Sequence, residues 1–247
     1  MTFFAKSLIP LAVLLAAACN SEQANGSAAS SAPGKSIAAP NGGDWTKLVR
    51  QTPEGGFLRG NPNAAVKVVE FGSMTCPHCA EFAATGEAPL VDKYVKSGRV
   101  SFEFRNYVRD PFDLAASLTA RCGGPNSYFA LTNGLFRDQL TWVRKLQSVP
   151  QAQLQALQQA SPSQQMRAVA NWAGFPQWAA KRGLPSAKLN ACLANSNEIN
   201  KLVQMNADAL ANYNVPGTPS FLINGSLVEN ASTWETLEPK IKAALGG

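Results

Sequence analysis

The chain has 247 residues, 45% of them apolar and 15% charged, with a net charge of +6, five cysteines and a single histidine. That composition reads as globular and can bury one good core with a large insertion. Lysines and arginines never run longer than two, so the sequence lacks the footprint of a nucleic-acid partner, and the mild positive charge reads as a solvated basic surface.

Residues 1–18, "MTFFAKSLIPLAVLLAAA", carry one early charge at Lys6, an apolar run from Leu8 to Leu15 and then small residues up to Cys19. This is the pattern of a secretory leader, too short to span a bilayer comfortably. Its ending resembles a bacterial lipobox, in which Cys19 would be lipidated and become the mature N-terminus. The leucine usual three places before that cysteine stands four before, at Leu15, with Ala16 in its place, and Ala16 and Ala18 also suit ordinary A-x-A cleavage. Removal of the leader takes away one lysine and no acid, leaving +5. Residues 19–43 are almost all Ala, Ser, Gly, Asn and Pro, with Ile37 the one hydrophobe after Cys19, and read as a flexible tether. The expected location is therefore the periplasm, with membrane contact only through the lipid on Cys19.

The folded unit is expected to start near Asp44. "GGFLRG" predicts a short strand, Asn61-Pro62 a turn, and Val66 to Phe71 a run apolar enough for a central buried strand. That strand leads into "CPHC", where Thr75 or Cys76 can cap a helix and Pro77 is pre-set for its first position. Gly86 and Pro89 should interrupt the helix before it resumes through Leu90, Val91, Tyr94 and Val95. "VSFEFR" alternates Val100, Phe102 and Phe104 against Ser101, Glu103 and Arg105, a second strand. Residues 111–213 change to helical spacing, and the eight glutamines between Gln147 and Gln165 suggest a solvated helix face. "TPSFLINGSLVEN" returns to strand with a type I′ turn at Asn224-Gly225. An amphipathic helix through Trp234, Leu237, Ile241 and Leu245 closes the chain, with Pro239 awkward inside it. The order describes an α/β domain of residues 44–110 and 214–247 interrupted once by helices.

The pair Cys76 and Cys79 admits three readings. A zinc half-site needs two further ligands at similar spacing, and Cys122 and Cys192 are isolated. A structural staple would close too short a loop to remove much chain entropy. The redox reading has a mechanism: Cys76 at the mouth of a helix meets unsatisfied N–H groups and the positive end of the macrodipole, which favour thiolate. His78 can add a cation or a hydrogen-bond donor, and Cys79, one turn on, can close the disulfide. Lowering the Cys76 pKa by about three units, to about 5.5, would stabilise the reduced form at pH 7 by about 2 kcal/mol, or about 45 mV. The disulfide then leans toward being donated. No metal or cofactor is called for.

With those residues in view, the chain resembles the thioredoxin superfamily, and more closely the bacterial periplasmic DsbA-like disulfide oxidoreductases, from about Gly55 to Leu245. "VVEFGSMTCPHC" is similar to the family's strand and redox motif, with Glu70 six places before the first cysteine. "VPGTPSFLING" is similar to the loop whose proline, Pro219 here, is cis and faces the disulfide, with Thr218 before it. The helices between the two halves match the family's insertion. The resemblance implies a thioredoxin fold interrupted by a large helical insertion and a Thr218 backbone free to pair with an extended substrate. It also implies a buried Glu70 that takes the Cys79 proton, against the alternative of a strand-end carboxylate in water. Cys122 and Cys192 both fall on inward helical faces. Compartment and parity favour a structural disulfide between them, worth about 4 kcal/mol, while two buried free thiols would give the same pattern.

The leading functional expectation is a monomeric oxidase that donates disulfides to thiols of exported proteins or peptides through a mixed disulfide on Cys76. The alternatives are an isomerase or reductase, and a tethered binding module that needs no cysteine chemistry. The family implies recycling by a DsbB-like membrane quinone reductase in the first case and a DsbD-like reductase in the second.

Overall fold

The computed structural model describes residues 36–247; the leader, Cys19 and most of the expected tether lie outside them. Six strands form one sheet: β1 (Val49–Gln51), β2 (Phe57–Gly60), β3 (Val66–Gly72), β4 (Val100–Asn106), β5 (Ser220–Ile223) and β6 (Ser226–Leu227). They lie in the order β1-β2-β4-β3-β5-β6, and only β3 and β4 run parallel. The crossover between those two carries α1 (Pro77–Thr85), the short α2 (Glu87–Pro89) and a π-helical turn, Leu90–Val95. Gly86 and Pro89 thus break the helix where expected.

Eight helices occupy the chain between β4 and β5. They are α3 (Pro111–Arg121), α4 (Pro125–Arg137), α5 (Gln139–Gln147), α6 (Gln151–Gln158), α7 (Pro162–Ala173), α8 (Phe175–Ala180), α9 (Ser186–Leu193) and α10 (Ser196–Tyr213). The closing helix is α11 (Trp234–Ala244), with Leu237 and Ile241 buried and Pro239 inside it. Local chemistry sets the boundaries. Asp110 caps α3, accepting the Asp113 N–H at 2.8 Å, with Pro111 in the first turn. Asn214 ends α10 in the left-handed region at φ 51°. Asn224 and Gly225 both take positive φ, 51° and 85°, in the β5–β6 hairpin, as a type I′ turn requires. The glutamine-rich α6 buries none of its residues.

The larger of two cores joins sheet and helices, and a smaller one gathers Val69, Phe71, Leu222, Ala209 and Val215. Phe57 stacks on Tyr128 of α4 with ring centroids 3.8 Å apart, and Phe82 of α1 meets Phe221 of β5 at 4.6 Å. The link Cys122–Cys192 ties the end of α3 to α9 across 70 residues of sequence, the two Cα atoms 5.7 Å apart. The free-thiol alternative for these two cysteines therefore falls.

Three features differ from the expectations. β4 is buried on both faces, not on one, because α4 covers Phe102 and Phe104 on one side and Tyr213 of α10 meets Arg105 on the other, where the polar residues are internally matched. Arg105 Nε donates to Glu103 Oε1 at 2.8 Å and Nη2 to Oε2 at 3.0 Å, while the Thr52 hydroxyl donates to Oε1 at 2.7 Å. Pairing of that quality offsets the cost of removing both charges from water. Second, the edge strand β1 had no legible signal. Third, the chain is already held at Ile37, ahead of Asp44. The Ile37 N–H donates to the Ser97 carbonyl at 2.7 Å, and the buried Trp45 indole donates to the Ile37 carbonyl at 2.8 Å.

Candidate active site

At the end of β3 the chain turns through Ser73, Met74 and Thr75 into α1. Cys76 is the N-cap residue at φ −84°, ψ 121°; its N–H donates to the Ser73 carbonyl at 3.1 Å and its carbonyl accepts the Ala80 N–H at 3.2 Å. Pro77 sits in the first turn, where its missing N–H would have had no partner. No side chain caps this helix, so its free amides remain available to the Cys76 sulfur. Across the site, the cis peptide Thr218–Pro219 brings Thr218 over that sulfur, and the Cys76 thiol donates to the Thr218 carbonyl at 3.2 Å.

The two thiols have opposite environments. Cys76 is held down to about 5, mainly by a hydrogen bond with the Cys79 thiol, with smaller contributions from the Thr218 side chain and the backbone amides of Cys79 and His78. Burial works the other way. So does the Thr218 carbonyl, which accepts the thiol proton and favours the protonated form. Cys79 has no exposed surface, and burial first, then its bond to Cys76 and the charges of Glu70 and Cys76, push its thiol far up. Cys76 keeps 2% exposure. Both thiols are thus buried, and of the two Cys76 is the better thiolate.

Glu70 lies on β3 on the face covered by α1, opposite Phe104 of β4 and Phe221 of β5. It is buried, its Oε1 has no hydrogen-bond partner, and burial, then the charges of Glu87 and Cys76, raise its carboxyl well above the ordinary value. The strand-end carboxylate in water is thereby excluded. Gly72 lets it lie there: a Cβ at Gly72 would come within 2.4 Å of the Phe104 ring and 3.1 Å of Glu70 Oε1. Glu87, also buried, accepts from Arg59 at 3.1 Å and from Asn133 at 2.9 Å.

His78 departs from its expected role. Its imidazole is 73% exposed and turns to Glu81, 3.5 Å away, so this residue reaches the sulfur through its backbone N–H, not its ring. Cys122 and Cys192 form their link inside the helical block and take no part in the site. A cleft of about 480 Å3, lined by Pro216, Pro219, Leu227, Val228 and Ala231 among others, adjoins the Pro219 loop.

Two residues that sequence reasoning missed hold the active-site loop. Asp113, fully buried near the start of α3, accepts the Met74 N–H at 2.8 Å, the Ser73 hydroxyl at 2.5 Å and the Arg109 N–H at 3.0 Å. Burial raises its carboxyl to about 6 against those bonds. Gln139, at the start of α5, donates to the carbonyls of Met74 and Cys76 at 2.8 and 2.9 Å. "DPFD", residues 110–113, is the pattern of a helix start and could have pointed to Asp113 as a first-turn acid, though not to its partners; Gln139 carries no signal in sequence.

A thioredoxin family model matches residues 52–243. Two Rickettsia chains provisionally named protein-disulfide oxidoreductases, from R. prowazekii (strain Madrid E) and R. bellii (strain RML369-C), are each 29% identical to it, over 191 and 188 residues. Those matches cover 76% and 75% of this chain but only 61% and 63% of theirs. The crystal structure of a protein-disulfide isomerase from Novosphingobium aromaticivorans is 37% identical, with a TM-score of 0.73, covering 77% of this chain and 97% of that one. Wolbachia pipientis alpha-DsbA1, 19% identical with a TM-score of 0.62, shares the fold over 82% of this chain and 96% of its own. The chain belongs to the thioredoxin family, and its fold, with helices inserted between β4 and β5, is the one it shares with these two structures.

Proposed function

We propose that the protein is a thiol:disulfide oxidoreductase of the cell envelope that donates disulfides to thiols of exported proteins. The observation that carries this reading is the asymmetry of the two cysteines: one thiol at a helix mouth near 5, the other sealed beneath it and pushed up. A Cys76 thiol two units below pH 7 stabilises the reduced form by about 2 to 3 kcal/mol, or about 60 mV toward an oxidant.

A substrate thiolate attacks Cys76 Sγ of the oxidised pair; the Cys76–Cys79 bond breaks and Cys79 leaves with the electron pair, taking a proton from Glu70. A second substrate thiolate attacks the substrate sulfur of the mixed disulfide, and Cys76 leaves as the stabilised thiolate. The substrate loses two electrons and the enzyme gains them. Thr218 and the Pro219 loop would orient the extended substrate segment, with the adjoining cleft as the surface beside it. Reoxidation returns the electrons by the same exchange to a DsbB-like membrane partner, and Glu70 then takes the Cys79 proton.

The leader and Cys19 support a periplasmic, lipid-anchored chain; among the described residues no helix is long and apolar enough to cross a membrane. Mass spectrometry of the processed N-terminus tests the anchor, with a lipid adduct on Cys19 expected and a free thiol there contradicting it. The name of the Novosphingobium relative favours a second reading, isomerase. The same Cys76 thiolate would then attack a substrate disulfide and be released by another substrate thiol, with a DsbD-like partner keeping the pair reduced. Equilibration of the full chain against glutathione separates the two. A potential above about −180 mV supports the disulfide donor, and one near the thioredoxin end, about −270 mV, supports the reduced enzyme.

A further inference from the structure

We propose that Gln139 is a positioning residue through which the helical insertion sets the acidity of Cys76. The inference rests on the redox reading above but concerns a residue that touches neither sulfur. Gln139 is 4% exposed and spends both hydrogens of one amide on a single loop, one on the Met74 carbonyl at 2.8 Å, the other on the Cys76 carbonyl at 2.9 Å. Burying an amide costs free energy unless its hydrogen bonds are made, so this one is committed to the loop.

Its two acceptors matter for different reasons. The Cys76 carbonyl also takes the Ala80 N–H, so Gln139 supplies the second donor that fixes the peptide plane at the helix cap. That plane sets the direction of the Cys76 side chain relative to the His78 and Cys79 amides. Met74 is clamped at both ends of its backbone: Asp113 of α3 accepts its N–H, and Gln139 of α5 donates to its carbonyl. The loop before the thiolate is thus held by two helices of the insertion rather than by the sheet that delivers it.

Electrostatics points the same way. The Met74 and Cys76 carbonyls, one on the residue that carries the sulfur and one two places before it, turn the negative ends of their dipoles to the buried Gln139 amide, away from water. The positive end of the Gln139 amide lies against both. Removing that amide loosens the cap geometry and leaves two buried oxygens a donor short, and each effect disfavours the thiolate.

The test is the pH titration of thiolate absorbance near 240 nm in the reduced full chain and in Gln139→Met, which keeps side-chain length and removes both donors. The parent is expected to titrate near 5. Gln139→Met is expected to titrate about one unit higher, so the acid dissociation constant falls about tenfold, equivalent to a potential about 30 mV more reducing. Gln139→Asn, which keeps an amide one carbon too short, should move in the same direction and carries the test if the Met variant does not fold. Trp142→Phe, a packing change one turn along the same helix, should leave the midpoint where it is. Unchanged midpoints in both Gln139 variants, or an equal shift in Trp142→Phe, would overturn the assignment while leaving the redox reading intact; a parent midpoint near 9 would overturn both.

Discussion

The two faces of the central sheet each bury a glutamate, on adjacent parallel strands, and treat it differently. Glu103 of β4 has a forked bond from Arg105 and a third from Thr52. Glu70 of β3 has an oxygen with no partner at all and lies beneath the redox helix. An acid whose hydrogen bonds are all answered holds structure together; one left short of them can take up or release a proton. The same division separates the sulfur pairs. Cys122 and Cys192 are spent on a link between helices, whereas Cys76 and Cys79 remain free at a helix mouth.

The largest effect is expected at the linked pair. The double variant Cys122→Ala, Cys192→Ala reopens a loop of about 70 residues and should lose about 4 kcal/mol in urea unfolding, while keeping the Cys76 titration. A moved titration with unchanged stability would reverse the roles assigned to the two pairs. Next, Glu103→Ala leaves the Arg105 guanidinium buried without its fork and should lose about 3 kcal/mol by the same assay, with no change in disulfide-donor rate per folded molecule. A slower exchange in that variant would mean that the two glutamates do not divide as argued.

The smaller effect concerns Glu70→Gln, expected to slow the steps that break or form the Cys76–Cys79 bond by about tenfold or more, read by stopped-flow exchange with a thiol peptide. Its stability signature has a definite sign. The folded carboxyl titrates well above 4.5, so between the unfolded value and the folded one the native state holds a proton that the unfolded chain has released. Stability therefore falls as pH rises from about 4.5 through that window, and Glu70→Gln should flatten the decline. A variant with an unaltered pH slope and unaltered exchange would leave Glu70 without a role.

Much of this arrangement was legible in sequence because it is written in local chemistry. The apolar run into CPHC marks β3 and α1, Pro77 fixes the helical register, Asn224-Gly225 fixes the hairpin, and the change to helical spacing after Pro111 marks the inserted helices. What could not be read depends on partners distant in sequence. The polar side of β4 looks solvent-facing until the turn between β1 and β2 supplies Thr52 and Tyr213 closes over Arg105. Asp113 and Gln139 are ordinary helix-start residues until the fold sets both against Met74. His78 was misjudged for a different reason: its ring chemistry is conspicuous in the sequence, but the helix turns that ring outward and leaves the backbone amide facing inward.

The central claim is that Cys76 is the activated sulfur and Cys79 the sealed one. It is tested most directly by the pH dependence of iodoacetamide alkylation of the reduced full chain, with the labelled residue identified by peptide mapping. The account predicts label on Cys76 alone, with a rate that rises through a midpoint near pH 5 and is flat above it. Equal labelling of Cys76 and Cys79, with a midpoint near 9, would contradict it.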